Sequence, residues 1–316
     1  MQGISLRVVG RRFFALPFLC ARRDVERSVG SEAPLRNYFI FLWLPTIWMV
    51  LVWTLIAANY VAFDAWDMQN NTSNIFRNIM VLLTVRSYAL TVHTLPGTPP
   101  EAWLQRANAG LEADATVCER STKLLPPRAR YVGRVDEVVL GLDHYCTFIG
   151  GPVGHNNRAY FLLFLAYATL LCVVGIQCCA SELWQTLPRL AQARDLVVSA
   201  VGGGTQMQTM TRDSPDEVNA LLRDLKRGLC VIFLLVGDCI AAFFLGELAI
   251  WQWEVAAKGR LTVSPEDARY DAGSAKLNLR VVFGGAGTPW YLWWLPARTC
   301  VKPEGDGLVW ARPRGA

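Results

Sequence analysis

A long run without charged side chains constrains the fold of this chain more than any other feature. It covers residues 38–60, and it includes Trp43, Trp48 and Trp53. A helix needs about 20 consecutive apolar residues to cross the hydrocarbon core of a bilayer. The run therefore predicts a first transmembrane helix, in which Pro45 is a tolerated kink.

Three further apolar segments are long enough to cross a membrane. They cover residues 75–95, 159–180 and 229–253. The earliest of them contains Arg86, and the last contains Asp238 and Glu247. Ionised groups are costly in hydrocarbon, so we expect these side chains to face neighbouring helices or polar partners.

The basic residues predict the orientation of the four spans. Residues 61–74 contain Asp64 and Asp67 but no Lys or Arg, whereas the segments at 1–37, 96–158 and 254–316 carry many basic residues. Because cytosolic loops carry an excess of Lys and Arg, residues 61–74 face away from the cytosol. The remaining assignments are a cytosolic N-terminal tail at 1–37, a cytosolic segment at 96–158, a lumenal or extracellular loop at 181–228 and a cytosolic tail at 254–316.

The predicted fold is an all-α membrane protein with four transmembrane helices, a cytosolic loop segment between helices 2 and 3, and a cytosolic C-terminal tail. Its composition agrees, because 53% of the residues are hydrophobic and only 18% are charged. The formal net charge of +5 is modest, and no nucleic-acid-binding motif is present, so no nucleic-acid partner is expected. The nine cysteines show no disulfide-framework spacing, which favours a reduced cytosolic environment for the polar segments.

The cytosolic segment contains the motif Asp143-His144-Tyr145-Cys146. A cysteine beside a histidine and an aspartate has the residue types of an activated thiolate nucleophile. Residues two apart share a face on extended backbone but not on a helix. We therefore predict that His144 and Cys146 lie on extended backbone, and that helix resumes only near Asn156, after a stretch rich in glycine.

With its flanking motifs, the chain resembles the DHHC-type protein S-acyltransferases, or palmitoyltransferases, over about residues 38–296. The nearest candidate for the family's Thr-Thr-x-Glu motif, Leu261–Glu266, is poorly kept. The motifs that carry the resemblance are Leu95-Pro96-Gly97, Pro126-Pro127-Arg128, the Asp143–Cys146 tetrad, Val153–Asn157, Tyr160–Phe164, Tyr270–Gly273, Asn278–Gly284 and Trp290.

The resemblance implies a protein-cysteine S-palmitoyltransferase. Its substrates are palmitoyl-CoA and cysteine-containing, membrane-associated proteins, and its environment is membrane lipid. Cys146 is the expected nucleophile that carries the acyl group, His144 its general base, and Asp143 the group that orients the imidazole. The family is expected in the Golgi or the ER, with the plasma membrane also possible, and with both termini and the active site in the cytosol.

Further residues have predicted roles in binding substrate. Arg128, Arg130 and Arg158 are candidates to pair with CoA phosphates, although ordinary solvated charges account for them equally well. By resemblance, Asn278 ties the C-terminal tail to the catalytic loop, and an ordinary helix cap is its alternative. Two other functions stay open: an inactive four-span scaffold of the same fold, and a small channel that uses the charged residues of the spans.

The resemblance also brings an expectation that this sequence does not meet. The family binds two zinc ions through cysteines and histidines, whereas here only Cys118 matches a ligand position. Ligand positions are occupied instead by Ser121, Tyr131, Val132, Val135, Val138, Tyr145 and Pro152. One thiolate cannot build a tetrahedral zinc site, so we predict that no metal is bound. A small apolar core is expected to replace it, formed by Val132, Val135, Val138, Val139 and Leu140.

Metal analysis of the purified protein tests this prediction. We expect far less than one equivalent of zinc per chain, and we expect chelators to leave thermal stability unchanged, because too few ligands are present to bind the ion. A content of about two equivalents per chain, the number the family binds, would contradict the prediction.

Overall fold

The computed structural model describes residues 71–202, 215–285 and 287–310, together with positions 54, 57 and 58. The predicted N-terminal tail at 1–37 and nearly all of the first span at 38–60 lie outside the described residues.

The helices begin and end as follows: α1 at Asn71–His93, α2 at Glu101–Asn108, α3 at Arg158–Gly202, α4 at Pro215–Ala257 and α5 at Ala275–Phe283, with a 3₁₀ helix at Trp290–Trp294. Among the described residues, three stretches are long and apolar enough to cross a membrane. These are Ile75–His93, Arg158–Arg189 and Leu222–Ala257. Long apolar helices therefore occupy the segments predicted as spans at 75–95, 159–180 and 229–253.

The segment 181–228 was predicted to be a loop, and this prediction was wrong for the described part. Helix α3 continues to Gly202 and α4 begins at Pro215. The mixed charge of this segment indicated a loop, but Leu, Ala, Arg and Glu are strong helix formers. A helix that is already formed also adds residues at little cost, because nucleation is the expensive step.

Of the described chain, residues 71–80, 168–202 and 215–246 belong to one compact unit. Cys179, Val231 and Leu234 form an apolar cluster there. The carboxylate of Glu182 lies 2.6 Å from the guanidinium of Arg227. Asp238 is buried against Gly175, where an added Cβ would clash with its carboxylate. Asp238, one of the two acidic residues of the predicted fourth span, therefore packs against a neighbouring helix.

The other compact unit contains residues 81–167 and 247–310 of the described chain, and it adds strands that the all-α prediction lacked. Three antiparallel hairpins follow α2. They pair β1 (Thr116–Val117) with β2 (Leu124–Leu125), β3 (Arg130–Val132) with β4 (Glu137–Val139), and β5 (His144–Cys146) with β6 (Gly151–Val153). In the last hairpin His144 is opposite Val153, and Cys146 is opposite Gly151. The segment between the spans is therefore a stack of short hairpins.

The predicted valine core divides into two clusters. Val132 and Val139 pack with Leu142, and Val135 lies against them. Val138 belongs to a separate cluster that includes Leu140 and Trp103. Successive side chains of a strand point to opposite faces, which is why the neighbours Val138 and Val139 cannot enter the same core.

The C-terminal tail completes the second of these clusters. Leu308 is 8% exposed and packs with Trp103, Val138 and Leu140. Trp310 approaches Gly141 so closely that an added Cβ there would lie 3.2 Å from its ring. The tail therefore holds the hairpins from outside the segment that contains them.

Polar contacts also join the hairpins. The ammonium of Lys123, beside β2, lies 2.8 Å from the carboxylate of Asp136, which lies between β3 and β4. The hydroxyl of Tyr131 donates to the same carboxylate at 2.8 Å. These groups are exposed, so each contact contributes little, but together they connect two hairpins without a metal ion.

Shortening Leu308 tests the role of the tail. Leu308→Ala is expected to lower the free energy of unfolding by about 2–5 kcal/mol, because it leaves a cavity in a buried cluster. Thermal melting of the purified protein measures the loss. The neighbouring Val309 is 81% exposed, so Val309→Ala is the matched control with an expected change within about 0.5 kcal/mol. Equal effects of the two variants would show that the tail does not stabilise the hairpins.

Candidate active site

Strand β5 positions the histidine and the cysteine of the tetrad. His144 and Cys146 are its first and last residues, so the prediction of extended backbone is confirmed. Cys146 is 5% exposed, while the imidazole of His144 is 21% exposed. Interaction with the thiol of Cys146 contributes to the raised pKa of His144. The thiol therefore lies near the imidazole.

Asp143 is fully buried and is surrounded by donors. Its Oδ2 atom accepts a hydrogen bond from Nδ1 of His144 at 2.8 Å. The hydroxyl of Thr262 donates to Oδ2 at 2.9 Å, and the backbone N–H of Thr262 donates to Oδ1 at 3.0 Å. The guanidinium of Arg158 lies 3.0 Å from Oδ1. Both carboxylate oxygens are thus compensated, as a buried charge requires.

These contacts lower the pKa of Asp143 and raise the pKa of His144. Burial raises the pKa of Asp143, but the charge of Arg158 and the hydrogen bond from His144 outweigh it, so this pKa lies well below its usual range. Burial lowers the pKa of His144, but hydrogen bonds with Asp143 and Cys146 outweigh it and raise this pKa to about 9. The imidazole is therefore cationic at neutral pH, beside an ionised Asp143 and a thiol.

The turn after β6 connects this hairpin to α3 and to α1. Oδ1 of Asn157 accepts from the backbone N–H of Gly154 at 2.8 Å. Its Nδ2 donates to the carbonyl of Thr91 at 3.2 Å and to that of Pro152 at 3.1 Å. Gly154 is required here, because an added Cβ would lie 2.7 Å from a methyl group of Val139 and 2.8 Å from a backbone carbonyl.

Apolar and aromatic side chains border the imidazole. The ring of Phe161, on the first turn of α3, meets the ring of His144 edge-on at a centroid distance of 5.0 Å. Tyr88 of α1 contacts Phe164 at 5.3 Å, and its hydroxyl donates to the carbonyl of Phe148 at 3.2 Å. The catalytic hairpin therefore lies against the apolar ends of α1 and α3.

The residues predicted to bind CoA occupy different environments. Arg130 is exposed on β3. Arg158 is buried and pairs with Asp143, so its main contact is with the tetrad. Arg128 donates to the carbonyl of Gly259 at 2.9 Å and stacks on Tyr270. Only Arg130 has the open surroundings of a residue that meets a large soluble cofactor.

Asn278 joins different segments from those predicted. Its Nδ2 donates to the carbonyl of Ala257 at 2.9 Å and to the carboxylate of Asp271 at 2.7 Å. Its Oδ1 accepts from the N–H of Ala272 at 2.8 Å. These bonds tie the tail to the end of α4, and not to the catalytic loop as expected. An added Cβ at Gly259 would clash with Asn278, so that glycine makes room for the amide.

Two contacts at the site were missed from the sequence. Thr262 binds Asp143, although its segment was considered only a poor match to a family motif. Tyr145 lies under the guanidinium of Arg134, which is 4.7 Å from the ring centroid. The position of Thr262 within Leu261–Glu266 was the available signal for the first contact, whereas the spacing of Arg134 and Tyr145 gave no signal for the second.

The residues at the expected zinc positions do not fit a zinc ion. Among the described residues, no three His, Cys, Asp or Glu side chains lie together as metal ligands. Val132 and Val138 are buried in apolar clusters where ligands would be needed. Cys118 has only Ser121 and backbone groups as hydrogen-bond partners, and the bond with Ser121 lowers the pKa of this thiol. The hairpins thus have apolar contacts in place of metal ligands.

A buried aspartate, an imidazole and a thiol in succession, on a chain with three membrane-length helices, define a membrane protein with a cysteine-nucleophile site. Comparison with known proteins gives the family. A family model described as DHHC palmitoyltransferase matches residues 112–266, which include Asp143, His144, Cys146, Arg158 and Thr262. This part of the chain is a DHHC palmitoyltransferase domain.

Curated relatives agree with this assignment. The chain is 26% identical to human palmitoyltransferase ZDHHC2 over 46% of this chain and 48% of that protein. It is 32% identical to the probable protein S-acyltransferase 12 of Arabidopsis thaliana over 29% of this chain and 36% of the relative. Zebrafish palmitoyltransferase ZDHHC16A is 21% identical over 73% of this chain and 66% of the relative. The match thus spans about half the length of the human relative.

The raised pKa of His144 predicts a pH-dependent contribution to stability. This contribution is fully present below the ordinary histidine pKa of about 6.5 and is lost as the pH rises through about 9. The difference in melting temperature between wild type and His144→Gln should therefore shrink as the pH rises from about 6 to 10.

His155 provides the matched control. Burial lowers its pKa, so its contribution is present above about pH 6.5 and is lost as the pH falls. The difference between wild type and His155→Gln should change in the opposite sense. If both differences followed the same trend with pH, the ion pair between His144 and Asp143 would not be the cause.

Proposed function

We propose that this protein transfers a long-chain acyl group from palmitoyl-CoA to cysteine thiols of membrane-associated target proteins, through an acyl-enzyme on Cys146. The observation that carries the proposal is the succession of Asp143, His144 and Cys146 at strand β5. The DHHC palmitoyltransferase domain at residues 112–266 supports the same chemistry.

In the first step the sulfur of Cys146 attacks the thioester carbonyl carbon of acyl-CoA. In the reactive form of the site the proton of the Cys146 thiol is on His144, so the sulfur attacks as a thiolate, and the negative charge of Asp143 stabilises this imidazolium. The carbon–sulfur bond to CoA then breaks, and the imidazolium gives its proton to the departing CoA thiolate. The products are free CoA and a thioester on Cys146.

In the second step a cysteine of the target protein replaces CoA. His144 accepts the proton of the target thiol, whose sulfur attacks the acyl carbon on Cys146. The bond between the acyl carbon and Cys146 breaks, and Cys146 recovers a proton from the imidazolium. The reaction exchanges one thioester for another, so it needs no oxidant or metal ion.

The position of the site beside membrane-length helices suits an acyl substrate. Burial of each methylene group contributes about 0.8 kcal/mol, so the acyl chain favours a lipid-like environment next to Phe161 and Tyr88. We propose that the CoA part remains in the cytosol, where Arg130 can pair with its phosphates. The site, the C-terminal tail and the hairpins are then cytosolic, in a Golgi or ER membrane, and the hairpins fold without zinc.

Labelling with radioactive palmitoyl-CoA tests the proposal. Purified wild-type protein is expected to acquire a hydroxylamine-sensitive adduct, and Cys146→Ser is expected to acquire none, because Cys146 is the cysteine beside the imidazole. Cys118→Ser is the matched control, since Cys118 is the more accessible thiol and its pKa is lowered. Loss of His144 in His144→Ala should slow labelling by about 10²- to 10⁴-fold.

Each negative result has a separate meaning. An unlabelled wild-type protein that is folded by thermal melting would favour the inactive scaffold. Label that persists in Cys146→Ser and disappears in Cys118→Ser would assign the nucleophile to Cys118.

A further inference from the structure

A cavity lies next to the candidate catalytic residues, but His144 and Cys146 do not line it. Its volume is about 400 Å³, within the range of small-ligand sites. Arg158 lines it. Its walls also include Gly141 of the hairpin segment, Arg280 of α5 and Trp310 of the tail. A molecule bound there would meet the opposite side of the guanidinium that pairs with Asp143.

The walls of this cavity are cationic. Arg128, Arg158 and Arg280 line it, whereas its acidic residue is the exposed Glu304. Burial and the nearby charge of Arg158 lower the pKa of Arg128 to about 10, so these guanidinium groups repel each other at neutral pH. An anion between them would relieve this repulsion.

Two buried donors in the cavity walls have no acceptor. The side chain of Arg158 is 6% exposed, and its Nε atom has no hydrogen-bond partner in the described part of the chain. The Nε1 atom of Trp310 is likewise buried and unpaired there. Both groups can only donate, and buried donors are normally satisfied. A ligand that satisfied both donors would therefore have to supply acceptor atoms.

The rings of Tyr270 and Trp310 are already stacked against the guanidinium of Arg128. The guanidinium of Arg128 lies 4.7 Å from the ring of Tyr270 and 4.3 Å from that of Trp310. A flat ligand therefore cannot stack on these faces unless Arg128 moves. This arrangement favours a compact anion with acceptors in several directions over a ligand recognised by stacking.

We propose that this cavity binds a phosphate-bearing anion, held by Arg158, Arg280 and the indole N–H of Trp310. Phosphate groups present several acceptor oxygens and more charge than a carboxylate, and arginine binds them with paired donors. The same chemistry is available from free phosphates and from the nucleotide end of CoA. Binding does not require that acyl transfer occurs.

The anion would also affect the catalytic carboxylate. Arg158 directs one nitrogen toward Asp143 at 3.0 Å, while its Nε has no hydrogen-bond partner in the described part of the chain and its side chain lines the cavity. A bound phosphate therefore fixes the guanidinium from behind and holds it against Asp143. In this arrangement Arg158 is a positioning residue that acts through Asp143 on His144.

Calorimetric titration of the full chain in lipid nanodiscs with inorganic pyrophosphate tests the site. We expect one saturable site whose affinity falls with added salt. Arg280→Gln should weaken binding about tenfold or more, because it removes a charge-assisted hydrogen bond. The matched control is Lys276→Gln, which removes a positive charge from the exposed face of the same helix and should leave the affinity unchanged.

The outcomes are distinct from those of the acylation assay. Wild-type protein that shows no saturable binding, or equal loss of affinity in the two variants, would overturn the proposal even if Cys146 is acylated. If Arg280→Gln does not fold, Arg280→Lys replaces it and should bind more weakly than wild type, since an ammonium lacks the guanidinium fork. Equal affinity of Arg280→Lys and wild type would also overturn the proposal.

Competition identifies the source of the phosphate. Unacylated CoA and adenosine 3′,5′-bisphosphate that displace pyrophosphate would assign the cavity to the nucleotide end of CoA. Pyrophosphate that stays bound in their presence would assign it to a separate phosphate ligand. Both results retain the anion site, and the effect of Arg280→Gln must appear in either case.

Discussion

The buried carboxylate of Asp143 is the interaction on which the catalytic unit depends. A desolvated charge is costly unless partners surround it, and here the partners come from three separate parts of the chain. His144 belongs to β5, Arg158 begins α3, and Thr262 follows α4. The backbone N–H of Val263 also donates to the carbonyl of Asp143 at 3.1 Å. Because all of them converge on one residue, the hairpin, the helix and the loop after α4 must take up their positions together.

The hairpins show how a scaffold can be stabilised without metal ligands. Valines, a leucine from the tail and a tryptophan from α2 form the buried clusters, and each such side chain contributes about 1.5–3 kcal/mol when fully buried. The contacts of Leu308 and Trp310 with the hairpin segment connect distant parts of the sequence. Apolar contacts are less directional than bonds to a metal ion. At Gly141 and Gly154 the neighbouring atoms lie so close that a side chain would not fit, and these two close contacts fix the position of the backbone.

Arg158 connects the tetrad to its surroundings. One side of its guanidinium faces Asp143, and another faces a cationic cavity. Under the proposal above, an anion in the cavity would act on the imidazole through Arg158 and Asp143. The site thus has an apolar side at Phe161 and a polar side behind Asp143. This division suits a reaction in which a thiol, a lipid chain and a charged carrier must meet.

The sequence by itself determined the parts that depend on local or periodic signals. Long apolar segments predicted the three described membrane-length helices, because bilayer thickness sets their length, and the spacing of His144 and Cys146 predicted their extended backbone. The loop at 181–228 was mistaken, because local charge does not show that a formed helix will continue. Only the tertiary structure decided that Thr262 binds Asp143, that Arg158 is buried, and that the tail completes a core of the hairpins. These contacts join residues more than a hundred positions apart, or depend on which face of a strand points inward, and no short-range pattern encodes either.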